Sequence, residues 1–335
     1  MIQEPTCLIL GAGASAPYGL PTAHRLKDLI LADVTEQGRE ASDLYPLRNP
    51  PYDRSVSQAY HRGRLWGAYL RQIAHEAGLG DVTEKFWERL RGSTRSIDWF
   101  LRNNADYERI AKLHIAAVLL NCEKPPGRAG NWYGELSRQI LASSTATFQP
   151  GMLSVITFNY DRSFEQFFLN ALMSDYALSF ADAQTELLKV RIDHVYGHLG
   201  ELGKIPYGDV SRVAQAADGI ELTRATLDEA IQERVKPLIE FASYVNFIGF
   251  GFDEDNLRVL GIDTFKGKRI YATSRGLSAH DKKRARMAVG ARFRQKHPNL
   301  DALEFLRTFD IFGPKRQTTQ VRPRSYPRPS FVRGW

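Results

Sequence analysis

The stretch Thr6-Cys7-Leu8-Ile9-Leu10-Gly11-Ala12-Gly13-Ala14-Ser15 decides the fold. Its first five residues form a short apolar run, the pattern of a strand covered on both faces. A glycine-rich turn follows, and residues 23–34 then carry helical spacing. Strand, glycine turn and helix in this order open a nucleotide-binding α/β fold. The glycines let backbone amides approach a pyrophosphate, and a helix N-terminus favours negative charge. The dinucleotide fingerprint asks for a third glycine where this chain has Ala16. A tight turn after a buried strand needs glycine in any case, so the motif has a purely structural explanation as well.

Working outward, the strand–helix alternation resumes at Leu153–Thr157. That run leads into Phe158-Asn159-Tyr160-Asp161 and a helix with Phe164, Phe167, Phe168, Ala171 and Leu172 on one face. Further strands are expected near His194-Val195-Tyr196, at Tyr244–Ile248 and at Lys268–Thr273, with helices over 225–240, 278–290 and 300–308. Strands alternating with helices imply a parallel sheet of Rossmann-like α/β type. Residues 36–150 differ in character. Pro46, Pro50 and Pro51 mark a loop, and helical spacing then runs through 56–78, 83–92, 96–102, 106–122 and 131–146. In the fourth of these, Ile110, Leu113, Ala117 and Leu120 share a face, and Lys124-Pro125-Pro126-Gly127 breaks the chain after it. The organisation expected is one domain over 1–312, with a helical insertion at about 36–150, and a Pro/Arg-rich tail over 313–335.

The bulk numbers narrow the class. The chain has 335 residues, 43% hydrophobic and 25% charged, which is globular composition with ample core. Its two cysteines, Cys7 and Cys122, exclude a disulfide framework and an all-cysteine zinc site, and they fit a reducing cytoplasm. No secretory signal is evident, and Ile115–Leu120 is far too short to cross a bilayer, so a cytoplasmic protein without membrane contact is expected. The net charge of +7 is uneven: residues 314–335 hold six basic residues and no acid. Without those six of the 45, 39 basic residues face 38 acidic ones. Nucleic acid is therefore expected only through the tail, which reads either as a solubilising segment or as a docking arm.

Three more stretches carry chemistry. Asn159 sits at the end of a strand, where open α/β sheets bind ligands, and its amide can hold a carboxamide or orient a water. The competing role is a helix N-cap, which Asp161 fits better. In His194-Val195-Tyr196-Gly197-His198, an extended chain places His194, Tyr196 and His198 on one face, and histidine is a natural general base. No third ligand stands nearby, so no metal is expected. In Gly249-Phe250-Gly251-Phe252-Asp253-Glu254-Asp255-Asn256, the acids either bind ribose hydroxyls or cap a helix.

Together these stretches resemble the zinc-free sirtuin-like NAD-hydrolase domain of bacterial anti-phage defence proteins. Gly11–Ser15 with Gly19-Leu20-Pro21 is similar to the family's first nucleotide loop. Ile156–Asp161 resembles its Thr-x-Asn-Tyr-Asp motif, and Ile248–Asn256 its Gly-x-Gly-x-x-Asp-x-Asn loop. Ser96-Ile97-Asp98, with the helix around Lys112, resembles its helical insert. The resemblance covers about residues 5–275 and implies cleavage of the nicotinamide–ribose bond of NAD+ by an Asn and a His. Asn159 matches the former. Tyr196 stands where the family has its histidine, and His194 is favoured as the base, with Asp161, Tyr196 and His198 as further candidates. The resemblance also implies NAD+ contacts from Gly11, Ala12, Gly13, Ala14, Ser15, Pro21, Thr157, Gly249, Gly251, Asp253 and Asn256. Two cysteines cannot build the four-cysteine zinc module of deacetylating sirtuins, and Thr22-Ala23 replace their Phe-Arg pair, so deacylation is not expected. A cell-killing activity implies gating by a separate sensor or activator protein or by homo-oligomerisation. The alternatives are a non-catalytic NAD or ADP-ribose sensor and an ADP-ribosyltransferase.

Overall fold

The computed structural model describes residues 2–31, 56–124, 132–141, 150–222, 228–261, 265–289 and 299–313. The proline loop at 46–51, the break at 125–127 and the tail after Gly313 lie outside the described residues. Five parallel strands form one sheet in the order β3-β2-β1-β4-β5: β1 Thr6–Leu10, β2 Leu153–Thr157, β3 Arg191–His194, β4 Tyr244–Ile248 and β5 Arg269–Ala272. The chain is thus α/β and Rossmann-like. β1 lies at the centre, with Leu8 opposite Val155 on one side and Asn246 on the other. Connections from β1 run outward to β2 and β3, and β4 then starts on the opposite side. That reversal opens a crevice beyond the C-terminal ends of β1 and β4.

Alternation along the strands supplies two cores. Cys7, Ile9, Ile156, Val245 and Phe247 face one layer, and Leu8, Leu10, Leu153, Val155 and Ile248 face the other. After β1 come one-turn α1 (Ala12–Ser15), a 3-10 turn at Ala16–Tyr18 and α2 (Ala23–Ile30). The helices between β1 and β2 are α3 (Val56–Glu76), α4 (Gly80–Gly92), α5 (Ile97–Arg102), α6 (Glu108–Cys122) and α7 (Trp132–Ile140). The first four of these join the first layer, whereas α7 packs in the second with α8 (Ser163–Tyr176). The remaining helices are α9 (Phe180–Leu187), α10 (Val213–Asp218), α11 (Asp228–Phe241), α12 (Glu254–Leu260), α13 (Ala279–Val289) and α14 (Ala302–Thr308). No described helix is long and apolar enough to cross a membrane.

Two expectations are corrected. Helix α6 is not buried along a single stripe. Burial extends beyond the expected face to Ile115, Ala116, Val118 and Leu119, because α2, α3, α4 and α10 pack around it, and Arg109 stays exposed. Each buried Ile, Leu or Val contributes about 1.5–3 kcal/mol by leaving water, so α6 is the core of the insert. Strand β3 ends at His194 rather than continuing through Tyr196. Val195 and Tyr196 begin a turn, and Gly197 adopts φ +71°, which a residue with a Cβ rarely does.

Candidate functional site

A cleft of about 1320 Å³ opens beyond the C-terminal ends of β1, β2 and β4. Ligand pockets generally occupy about 300–1,000 Å³, so there is room for a dinucleotide. The loop after β1 forms one wall through Gly11, Ala12 and Gly13, and the loop after β4 forms the adjoining wall through Gly249 and Gly251. These loops touch backbone to backbone. Gly11 N–H donates to Ile248 O and Gly13 N–H to Gly249 O, both at 3.0 Å. A Cβ on Gly11 would stand 2.6 Å from Gly249 O, and one on Gly13 2.9 Å from Gly249 Cα. The glycines are therefore required by loop–loop packing, and two of the amides expected to grip a pyrophosphate are already used. The following helix, α1, has a single turn, so its dipole is small.

Asn159 stands at the end of β2, buried and on the cleft wall. Its Nδ2 donates to Gly11 O at 3.1 Å and to Ser15 Oγ at 3.0 Å. Its backbone N–H donates to Thr157 Oγ1 at 3.1 Å. With both amide hydrogens committed, Oδ1 has no partner among the described residues. Ser15 in turn donates to Asp161 Oδ1 at 3.1 Å, and Ser163 N–H donates to the same oxygen at 3.0 Å. Burial raises the Asp161 carboxyl above its usual range. Asp161 thus stands one residue before Arg162, the N-cap of α8, and receives the first amide of that helix without being the cap expected of it; through Ser15 it also fixes the Asn159 amide. Thr157, Ser15 and Asp161 support Asn159 from behind and do not line the cleft. Next in sequence, Arg162 is wholly buried and clamps Glu123 at the end of α6.

His194 and Tyr196 part company at the turn after β3. The His194 imidazole lies behind Asn159 and is absent from the cleft wall. Its Nδ1 donates to Asn159 O at 2.9 Å and its Nε2 pairs with Glu165 at 2.5 Å. Burial alone would lower its pKa, but the Glu165 charge, together with the hydrogen bonds to Glu165 and Asn159, raises it. Burial would raise the Glu165 carboxyl, and the His194 charge, with the hydrogen bonds from His194 and from the carboxyl's own backbone amide, turns the shift downward. His198, with its ring 4.8 Å from that of His194, is pushed down by burial and by the neighbouring imidazole, and it also lies off the cleft. Tyr196 does reach the cleft, where its hydroxyl donates to Asn256 Oδ1 at 2.8 Å. Asp253 both caps α12, accepting from Asp255 N at 3.0 Å, and lines the cleft. Pro21 and Ala14 do not line it; Ala14 is buried in the second core, and its carbonyl accepts from Trp132 Nε1 at 2.8 Å.

The far wall comes from α5, which sequence reasoning did not place there. Asp98, Trp99 and Arg102 line the cleft, and Arg102 pairs with Asp255 of α12. Tyr160, adjacent to Asn159, donates its hydroxyl to Asp98 Oδ1 at 3.0 Å. Phe158 and Phe250 meet edge-on at 5.1 Å and give the cleft an apolar patch. The sequence signal for α5 was Ser96, which caps it by accepting from Trp99 N, but capping does not tell where a helix docks. Among the described residues no group of three His, Cys, Asp or Glu could hold a metal ion. The chain matches no protein-family model and no curated protein.

Proposed function

We propose that this chain binds NAD+ in the cleft at the sheet's reversal point and hydrolyses its nicotinamide–ribose bond. One observation carries the reading: Gly11–Gly13, Asn159, Tyr196, Gly249–Gly251, Asp253 and Asn256, far apart in sequence, line a single crevice at the strand ends. In this reading the Asn159 Oδ1, left without a partner, accepts from the attacking water or from a ribose hydroxyl. Phe158 and Phe250 keep water sparse around the ribose. His194 acts through Asn159, whose carbonyl it holds, rather than on the substrate. The resemblance noted above supports a role as a defence effector, gated by a separate activator protein or by self-association.

Chromatography of nicotinamide and ADP-ribose tests this, with the chain alone and with products of neighbouring genes. Asn159→Ala is expected to lose roughly 10²- to 10⁴-fold in turnover, the scale of one positioned group. Full activity in that variant overturns the assignment. A second reading, a non-catalytic NAD or ADP-ribose sensor, is favoured by the withdrawal of His194 from the cleft. It predicts tight binding and no nicotinamide release under any of these conditions.

A further inference from the structure

We propose that the Asp98 carboxylate, on the cleft wall built by α5, is the base that takes the proton from the attacking water; this rests on the NAD+ hydrolysis proposed above. The argument starts from the ionisable groups around the cleft. Asp255 is paired with Arg102 and Arg258, Asp301 with Arg275, and Asp281 with Arg284. Asp253 is engaged as the cap of α12. Asp98 is the carboxylate that lines the cleft without a cation pair or a capping bond to hold it, among the described residues. Its partner is neutral. The Tyr160 hydroxyl donates to Oδ1, which orients the carboxyl on the cleft wall.

Position supports the role. Tyr160 follows Asn159 directly, so one loop holds the amide acceptor and orients the carboxylate on the opposite wall. Burial lifts the Asp98 carboxyl above its usual range, with Asp253 adding to the lift; the Tyr160 hydrogen bond, the carboxyl's own backbone amide and Arg102 on its own helix oppose it. A carboxylate raised in this way is a stronger base near neutrality. Arg95 and Arg102 are the cations near that wall among the described residues, and His24 of α2, exposed, lines the cleft as well. The step balances. The C1′–N bond breaks and nicotinamide leaves neutral with the electron pair. Water oxygen bonds to C1′, and its proton passes to Asp98 and then to solvent.

The test measures nicotinamide release by the full chain across pH, together with ADP-ribose affinity by calorimetry. Asp98→Asn is expected to bind ADP-ribose within a few-fold of the parent and to lose roughly 10²- to 10⁴-fold in turnover. Tyr160→Phe removes the bond that stabilises the carboxylate, so the acidic limb of its pH profile shifts to higher pH. A merely structural Asp98 would leave that limb in place. Parental turnover in Asp98→Asn, an unmoved limb in Tyr160→Phe, or loss of the acidic limb in His24→Ala instead each overturns the assignment. If the parent chain binds ADP-ribose yet releases no nicotinamide, the hydrolase reading itself fails and takes Asp98 with it. An active parent with an active Asp98→Asn removes Asp98 alone.

Discussion

Replacing Arg162 by Met removes one half of an ion pair whose side chains are 1% and 0% exposed. Arg162 donates to both Glu123 oxygens, at 3.0 and 2.5 Å, and to the carbonyls of Gly200 and Ile205, at 3.1 and 2.5 Å. In Arg162→Met the Glu123 carboxylate keeps, among the described residues, the Gly208 amide at 2.9 Å. Breaking a buried pair in this way costs about 3–5 kcal/mol, and two carbonyls that lose their donor place the expected loss near the upper end. With a urea m-value of about 3 kcal/mol/M, the unfolding midpoint falls by roughly 1–2 M. The double variant Glu123→Met, Arg162→Met should recover at least half of that, because no uncompensated charge remains. Burial already holds the Glu123 carboxyl above its usual range despite the guanidinium beside it, so the pair repays its desolvation poorly. Urea unfolding of the parent, both single variants and the double variant closes the cycle. A loss below about 1 kcal/mol in Arg162→Met, or two single losses that simply add, would refute the reasoning.

The His194–Glu165 pair gives a pH window with two edges. The raised imidazole contributes stability fully below its ordinary value of 6.5, and the contribution is lost as pH rises through the higher folded value. The lowered carboxyl contributes above 4.5, and the contribution is lost as pH falls through its lower folded value. The Tm difference between the parent and Glu165→Gln should therefore be widest between these pH values; a flat difference removes the pair from the account. Gly13→Ala should cost about 1–3 kcal/mol by driving a Cβ into Gly249 backbone. Thermal unfolding checks it, and an unchanged Tm would mean that the two loops are not in contact.

The strands were legible because parallel strands covered on both faces must be apolar throughout, as Cys7–Leu10 and Val155–Ile156 are. That Asp161 serves the start of α8 was legible from local chemistry, although the N-cap itself is Arg162. Contacts between distant loops were not. Nothing near Gly11 announces that its amide serves Ile248, so a glycine needed for packing reads like one needed for phosphate. The alternation through His194, Val195 and Tyr196 imitates a strand, whereas the chain turns there, with Gly197 at positive φ. Asn159 could be placed from its strand end, whereas Asp98 could not, since its site depends on how an inserted helix docks.

Helix α5 is clasped to α12 by Arg102 on Asp255, residues 153 positions apart. A substrate bridging both walls must therefore share its binding free energy with the seating of the insert. Whatever loosens that seating from outside weakens the grip on the substrate by the same amount, without ever entering the crevice.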